Sequence, residues 1–168
     1  MEFTEFDIVS ENINPFDMIG KQWCLVSAGN ENGFNMMTAS WGGMGVMWNK
    51  NVVTTVIRPQ RYTKKFMDSS DIFTVSFYPE ACRKALQFCG SHSGIDCDNK
   101  AAEAGLTPKF IDGTVAFEEA ETILVCRKLF VQKLTEDGFI DKSLIESCYP
   151  GKDYHYAYVA EIIKAYKK

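Results

Sequence analysis

The sequence predicts a mainly β domain with short helices added, closing as a full or partial antiparallel barrel. Short runs of β-branched and aromatic residues recur along the chain, each stopped by Gly, Pro or Asn. The runs are joined by hairpin-length turns and short helical stretches without regular βαβ alternation, which argues against a doubly wound parallel sheet. No linker, internal repeat or low-complexity segment divides the 168 residues, so residues 1–168 are expected to form a single domain.

Taken in order, residues 22–28 (QWCLVSA) and 34–41 flank the turn-prone stretch GNENG, which predicts a hairpin. Residues 51–57 (NVVTTVI) form the clearest strand and stop at Arg58-Pro59, because proline has no N–H for the ladder and forces an extended predecessor. A short helix over 61–68 precedes the strand 72–78, which Pro79 ends. Apolar spacing predicts a helix over 80–88 leading into a small-residue loop at 90–94, then a short helix near 99–104. Strands follow at 115–117, 122–134 and 156–165, with a partly helical excursion at 136–149.

Composition excludes several classes of function. Eighteen basic against twenty-two acidic residues leave a net charge of −4, a poor basis for neutralising nucleic-acid phosphates. The amino end, MEFTEFDIVSEN, has neither the basic nor the apolar part of a secretory signal, and no apolar run approaches the ~20 residues of a spanning helix. A cytoplasmic protein without nucleic-acid or membrane partners is expected. Six cysteines without a CxxC pair read as free thiols in a reducing compartment, and no metal is expected because no paired ligand spacing appears.

Phosphate-loop, dinucleotide, zinc-protease and serine-elbow signatures are absent. Four stretches remain as candidate chemistry. The stretch 35–41 (NMMTASW) runs into Gly42-Gly43-Met44-Gly45, where glycines let a flat heteroaromatic ligand approach the backbone. Thr38 and Ser40 read equally well as the wet face of a strand. Arg58, Arg61, Lys64 and Lys65 sit where a strand ends and a helix begins, which suits an anion such as phosphate but also suits a solvated helix face. The small polar run Cys89-Gly90-Ser91-His92-Ser93-Gly94 is either a cofactor loop or a plain connection. His155, entering the last strand, is a candidate proton donor because imidazole titrates near neutrality.

In order, Asn35-x-Met37-Thr38-Ala39-Ser40-Trp41-Gly42, Arg58-Pro59-x-Arg61-Tyr62-Thr63, Cys89-Gly90-x-x-Ser93-Gly94-x-Asp96-x-Asp98 and His155 six residues before Glu161 resemble the flavin reductase-like proteins, including the flavoredoxins. The resemblance implies an FMN-binding split β-barrel and a homodimer with the flavin near the subunit interface. It places the flavin ring and ribityl chain against Asn35, Met37, Thr38, Ala39, Ser40 and Trp41, and the phosphate on Arg58, Arg61 and Thr63, with Tyr62 in the same binding motif. Gly90 and Ser91 then close over the cofactor and His155 lies beside the ring. Relatives often continue the loop as Ser-Gly-Arg-Asp-x-Asp-Lys. Here Ile95 stands at the arginine place and Lys100 comes one position late, so phosphate binding rests on the Arg58 cluster.

The implied activity is hydride transfer from NADH or NADPH to flavin N5, with electrons passed to a small-molecule or protein acceptor. The alternative is a non-enzymatic electron carrier or redox sensor whose FMN is reduced by a partner protein. A related split-barrel module that binds haem or another phosphate-bearing cofactor is a third reading.

Overall fold

The computed structural model describes residues 2–168. The chain opens with β1 (Thr4–Phe6), α1 (Pro15–Asp17) and a π-helical turn, Met18–Gln22. Next come the hairpin of β2 (Cys24–Asn30) and β3 (Gly33–Ala39), then β4 (Gly42–Met47) and β5 (Lys50–Ile57). Helix α2 (Thr63–Ser69), β6 (Ile72–Phe77), α3 (Arg83–Ser91) and α4 (Lys100–Glu103) follow. The chain continues through β7 (Pro108–Ile111), β8 (Thr114–Phe117), β9 (Thr122–Lys133), α5 (Ser143–Cys148) and β10 (Tyr156–Lys167).

The main sheet runs β3-β2-β6-β9-β10-β5-β4, with β1 pairing the far end of β10, and β7-β8 form a separate ribbon. β3 and β4 lie at opposite ends of this path, yet only Ser40 and Trp41 separate them in sequence. A two-residue link spans at most about 10 Å between flanking residues, so the sheet has to curl until its two edges nearly meet. The edges are not hydrogen-bonded to each other, which makes this a split barrel. Bulges at Val159/Ala160 and Ile162/Lys164, where β10 slips against β9, supply part of the bend.

The barrel interior and its outer layer are two separate cores, and successive residues of one strand serve both. Val26, Met37, Leu124 and Cys126 face the interior with Phe73 and Tyr158. Their neighbours Leu25, Met36, Ile123 and Val125 pack outward against Leu86 and Cys89 of α3, Ala101 of α4 and Phe117 of β8. Strands covered on both faces read as continuous apolar runs, which is why QWCLVSA and TILVC show no alternation. Each fully buried large side chain contributes about 1.5–3 kcal/mol.

Several elements differ from the sequence reading. Residues 42–47 (GGMGVM) form strand β4, because pairing Gly42 through Met47 with β5 outweighs the low β propensity of glycine. At Gly42, φ is +153° and a Cβ would run into the Thr54 carbonyl, so only glycine fits. Gly90 and Ser91 belong to the last turn of α3 rather than to a loop, and the chain leaves the helix at His92. The hydroxyl of Ser91 donates back to the Gln87 carbonyl, 2.9 Å away, so it is satisfied within its own helix. The strands β1 and β7 were not expected. Among the described residues, no helix is long and apolar enough to cross a membrane, and no His, Cys, Asp and Glu side chains cluster as a metal site.

Candidate functional site

Where the two edges of the sheet approach each other, a cleft of about 210 Å³ opens. Its walls are Met37, Thr38, Ala39, Ser40 and Trp41 from β3 and the link, Val56 and Arg58 from the end of β5, Arg61 and His155. Side-chain alternation sends Met37 and Ala39 toward the barrel interior and Met36 toward α3. Thr38 also faces α3, where its hydroxyl donates to the Leu86 carbonyl at 2.5 Å. Ser40 and Trp41 have left the ladder and stand exposed at the mouth.

The two arginines are held in different ways. Arg58 Nη1 donates to Asp153 Oδ2 at 2.5 Å and Nη2 to the Cys148 carbonyl at 2.9 Å, with the guanidinium 5.1 Å from the Tyr149 ring centre. Arg61 touches no carboxylate. It donates to the Gly90 carbonyl at 2.7 Å and the Cys89 carbonyl at 3.2 Å, at the negative end of α3. Each guanidinium has five N–H donors, so both keep some for a ligand.

His155 is buried, with Nδ1 2.8 Å from the Tyr149 hydroxyl and its ring 5.4 Å from that of Trp41. Burial, followed by the charge of Arg58, pushes its pKa down to about 4. The expectation that it titrates near neutrality is therefore corrected: the imidazole is neutral at pH 7.

The remaining expected residues lie outside this cleft. Asn35 and Tyr62 line a second, polar hollow, with Gly94 packed so tightly on both that a Cβ there would overlap the Asn35 side chain. Thr63 is 1% exposed and turned into the packing at the start of α2. The amides of Arg61, Lys64 and Lys65 are spent on turn hydrogen bonds. Gly90 reaches the site through its carbonyl on Arg61 and through its close approach to Thr38, and Ser91 is engaged within its own helix. Lys64 pairs with Asp68 and does not line the cleft.

Sequence reasoning missed three supports. Asp153 holds Arg58, and Tyr149 holds His155. Lys100 is buried and donates to the Met36 carbonyl at 2.8 Å and the Cys89 carbonyl at 3.0 Å, tying β3 to the end of α3. Burial, with a smaller push from Arg61, lowers its pKa to about 8. The nearby Cys89 thiol is raised to about 11 by burial, which makes it an inert thiol at neutral pH. The sequence showed Lys100 only as the displaced lysine of the loop motif; the carbonyls it meets belong to β3 and the end of α3.

A profile of the flavin reductase like domain matches residues 17–148, from α1 to the end of α5. The chain belongs to the flavin reductase like family. No curated protein sequence matches. Among solved structures, an FMN-binding domain of a flavin reductases-like enzyme from Shewanella baltica OS155 is 18% identical, with a TM-score of 0.70 over 99% of this chain and 77% of that one. Flavoredoxin from Methanosarcina acetivorans is 21% identical, with a TM-score of 0.67 over 88% and 68%. Flavoredoxin of Desulfovibrio vulgaris (Miyazaki F) is 16% identical, with a TM-score of 0.68 over 98% and 77%. At these identities the likeness carries the fold. The family match ends at Cys148, so His155, seven residues beyond, enters the cleft of this flavin reductase like chain from a segment the profile does not reach.

Proposed function

We propose that the seam cleft binds FMN and that the chain is an FMN-dependent oxidoreductase, using NADH or NADPH as hydride donor and passing electrons to a small-molecule or protein acceptor. The observation that carries this reading is the convergence in one cleft of two guanidinium groups, the end of an unpaired strand edge and a neutral imidazole. This donor set fits FMN. Arg58 and Arg61 would hold the phosphate with the N–H groups they have to spare. The outer edge of β3, which pairs only with β2, offers backbone donors and acceptors to a flat heterocycle near Thr38, Ala39 and Ser40. His155 would place a neutral ring nitrogen beside it, and Trp41 would exclude water from one side. When bound, FMN supplies the redox chemistry by accepting hydride at N5 and releasing electrons to the acceptor. The lack of a dinucleotide fingerprint is no objection, because a nicotinamide can be held by stacking on the flavin.

We also propose a homodimer. Trp48 and Phe130 lie 6.3 Å apart between ring centres and are about half exposed, with Val46, Met47, Leu129 and Val131 exposed alongside. Such a patch is what a second copy would cover, and sedimentation at micromolar concentration tests it. The six unpaired cysteines fit a reducing compartment, which supports a cytoplasmic location.

The deciding experiment is an anaerobic visible spectrum of protein purified without added flavin and reconstituted with FMN, before and after NADH or NADPH. A flavin spectrum bleached by either nucleotide is expected. Bleaching by dithionite alone would make the protein a carrier or sensor, and failure to bind FMN would end the flavin reading.

A further inference from the structure

On the other side of Trp41 from the seam cleft lies a second hollow, of about 440 Å³, roofed by α1 and the π-helical turn. The two cavities share Ser40 and Trp41 as a common wall. No charged side chain lines this hollow, and apart from Ser40 its walls are apolar or glycine. Its broad surfaces are Trp41, Phe16 and Met44. Phe16 is 88% exposed and Trp41 47%, so both present ring surface to whatever enters. The roof is fixed: Ile19 is anchored in the interior core, and Arg83 clasps the far end of the turn through the Lys21 and Gln22 carbonyls and the face of Trp23. Glycines leave the hollow open. A Cβ on Gly20 or on Gly43 would meet nothing within 4 Å.

We propose that this hollow is a binding site for a small, uncharged, flat aromatic carbonyl compound, seated against Trp41 with Ser40 as its hydrogen-bonding group. The chemistry of the lining argues the class. Burying a charge among Phe16, Ile19, Trp41 and Met44 would cost its hydration with no counter-ion in reach, whereas a neutral ring loses only water from apolar surface. The one hydroxyl matches a carbonyl acceptor. The phosphates of a nicotinamide nucleotide find no partner here, so the hollow suits the other substrate. Its assignment as the acceptor's seat rests on the function proposed above; the binding itself does not. For a quinone acceptor the balance is one reduced nicotinamide and one proton consumed, giving hydroquinone and oxidised nicotinamide.

The test is equilibrium binding of 2-acetylnaphthalene, a neutral probe that undergoes no redox step, to protein free of flavin, with FMN affinity measured separately on each variant. The wild type should bind the probe, and 2-naphthoate, of similar shape but charged, should bind at least tenfold more weakly. Gly43→Leu fills the hollow and should weaken the probe at least tenfold, while Gly45→Ala, on the same strand but outside the lining, should leave it unchanged. Phe16→Ala removes a side chain the fold does not bury and should weaken the probe severalfold. It carries the test if Gly43→Leu does not fold. Equal or tighter binding of 2-naphthoate would place the ring in the arginine cleft and overturn the proposal. Probe affinity unchanged by Gly43→Leu, or by Phe16→Ala if Gly43→Leu does not fold, would also overturn it. Probe binding with the expected pattern but no FMN binding would leave the hollow standing and remove the flavin reading; FMN binding without probe binding would do the reverse.

Discussion

The two arginines of the seam cleft are three residues apart in sequence and belong to opposite sides of the site. Arg58 is paired with a carboxylate, Asp153, and the pair presents little net charge. Arg61 is held only by the Gly90 and Cys89 carbonyls, so its full positive charge faces the cleft and is offset by partial charges at a helix end. Each has a titratable neighbour, His155 beside Arg58 and Lys100 beside Arg61, and both neighbours are pushed toward their neutral forms. Two cations alike in sequence thus differ in setting: under the proposed function, Arg61 would supply most of the charge that the phosphate reads, and Arg58, already paired, would contribute mainly orientation.

The largest expected effect tests that asymmetry. Arg61→Ala should weaken FMN by about 2 kcal/mol, roughly thirtyfold, the usual loss of a charge-assisted hydrogen bond. Lys65→Ala should leave the affinity unchanged, because Lys65 lies over the Tyr62 ring and does not line the cleft. Fluorescence titration of FMN reads both, and equal affinities in the two variants would break the assignment of the phosphate to Arg61.

Acid should act first on the Arg58 side. The folded pKa of His155, about 4, lies below its ordinary 6.5, so between these values the unfolded chain binds more protons and stability falls as pH drops. Thermal melts from pH 7 to pH 4 should show that loss, and His155→Gln should show less of it. On the Arg61 side the window is alkaline. The folded pKa of Lys100, about 8, lies below its ordinary 10.5, so the unfolded chain again binds more protons and stability rises with pH between the two. The wild type should therefore gain stability relative to Lys100→Met between pH 8 and 10, measured by denaturant titration. A parallel course for the two proteins would mean that Lys100 is not buried as described.

The smallest effect sharpens the comparison most. Asp153→Asn frees Arg58 from its carboxylate and should tighten FMN about threefold, within the range of a partly exposed ion pair. It should also lower the pKa of His155 further, because Asp153 favours the charged imidazole, and NMR titration of the ring follows this directly.

Much of the architecture was legible because it is local. The β-branched run 51–57 and its proline stop correspond to β5, and the GNENG turn corresponds to the β2–β3 hairpin. The continuous apolar run 122–134 corresponds to β9, whose residues serve both cores. The strand at Gly42–Met47 was not legible, since glycine carries no strand preference and only pairing with β5 makes one. The last turn of α3 was hidden for a similar reason: Gly90 and Ser91 look like loop residues, and the helix continues there because Arg61 and Lys100 hold its terminal carbonyls.

The candidate site divides along the same line. The motif residues from Met37 to Trp41, Arg58, Arg61 and His155 were identifiable from their order in the chain, and the fold brings them to one cleft. Asn35, Tyr62 and Thr63 belong to the same motifs but lie elsewhere: Asn35 sits further along β3, beside Gly94 and Tyr62 in the second hollow, and the start of α2 turns Thr63 inward. By itself the sequence determined the kinds of element, the family and the chemical types at the site, since these follow from local preference and ordered motifs. Only the tertiary structure decided which cation carries free charge, that His155 is neutral and that Lys100 is buried. Those properties depend on desolvation and on partners more than ten residues away in the chain, such as Asp153 for Arg58 and Met36 for Lys100.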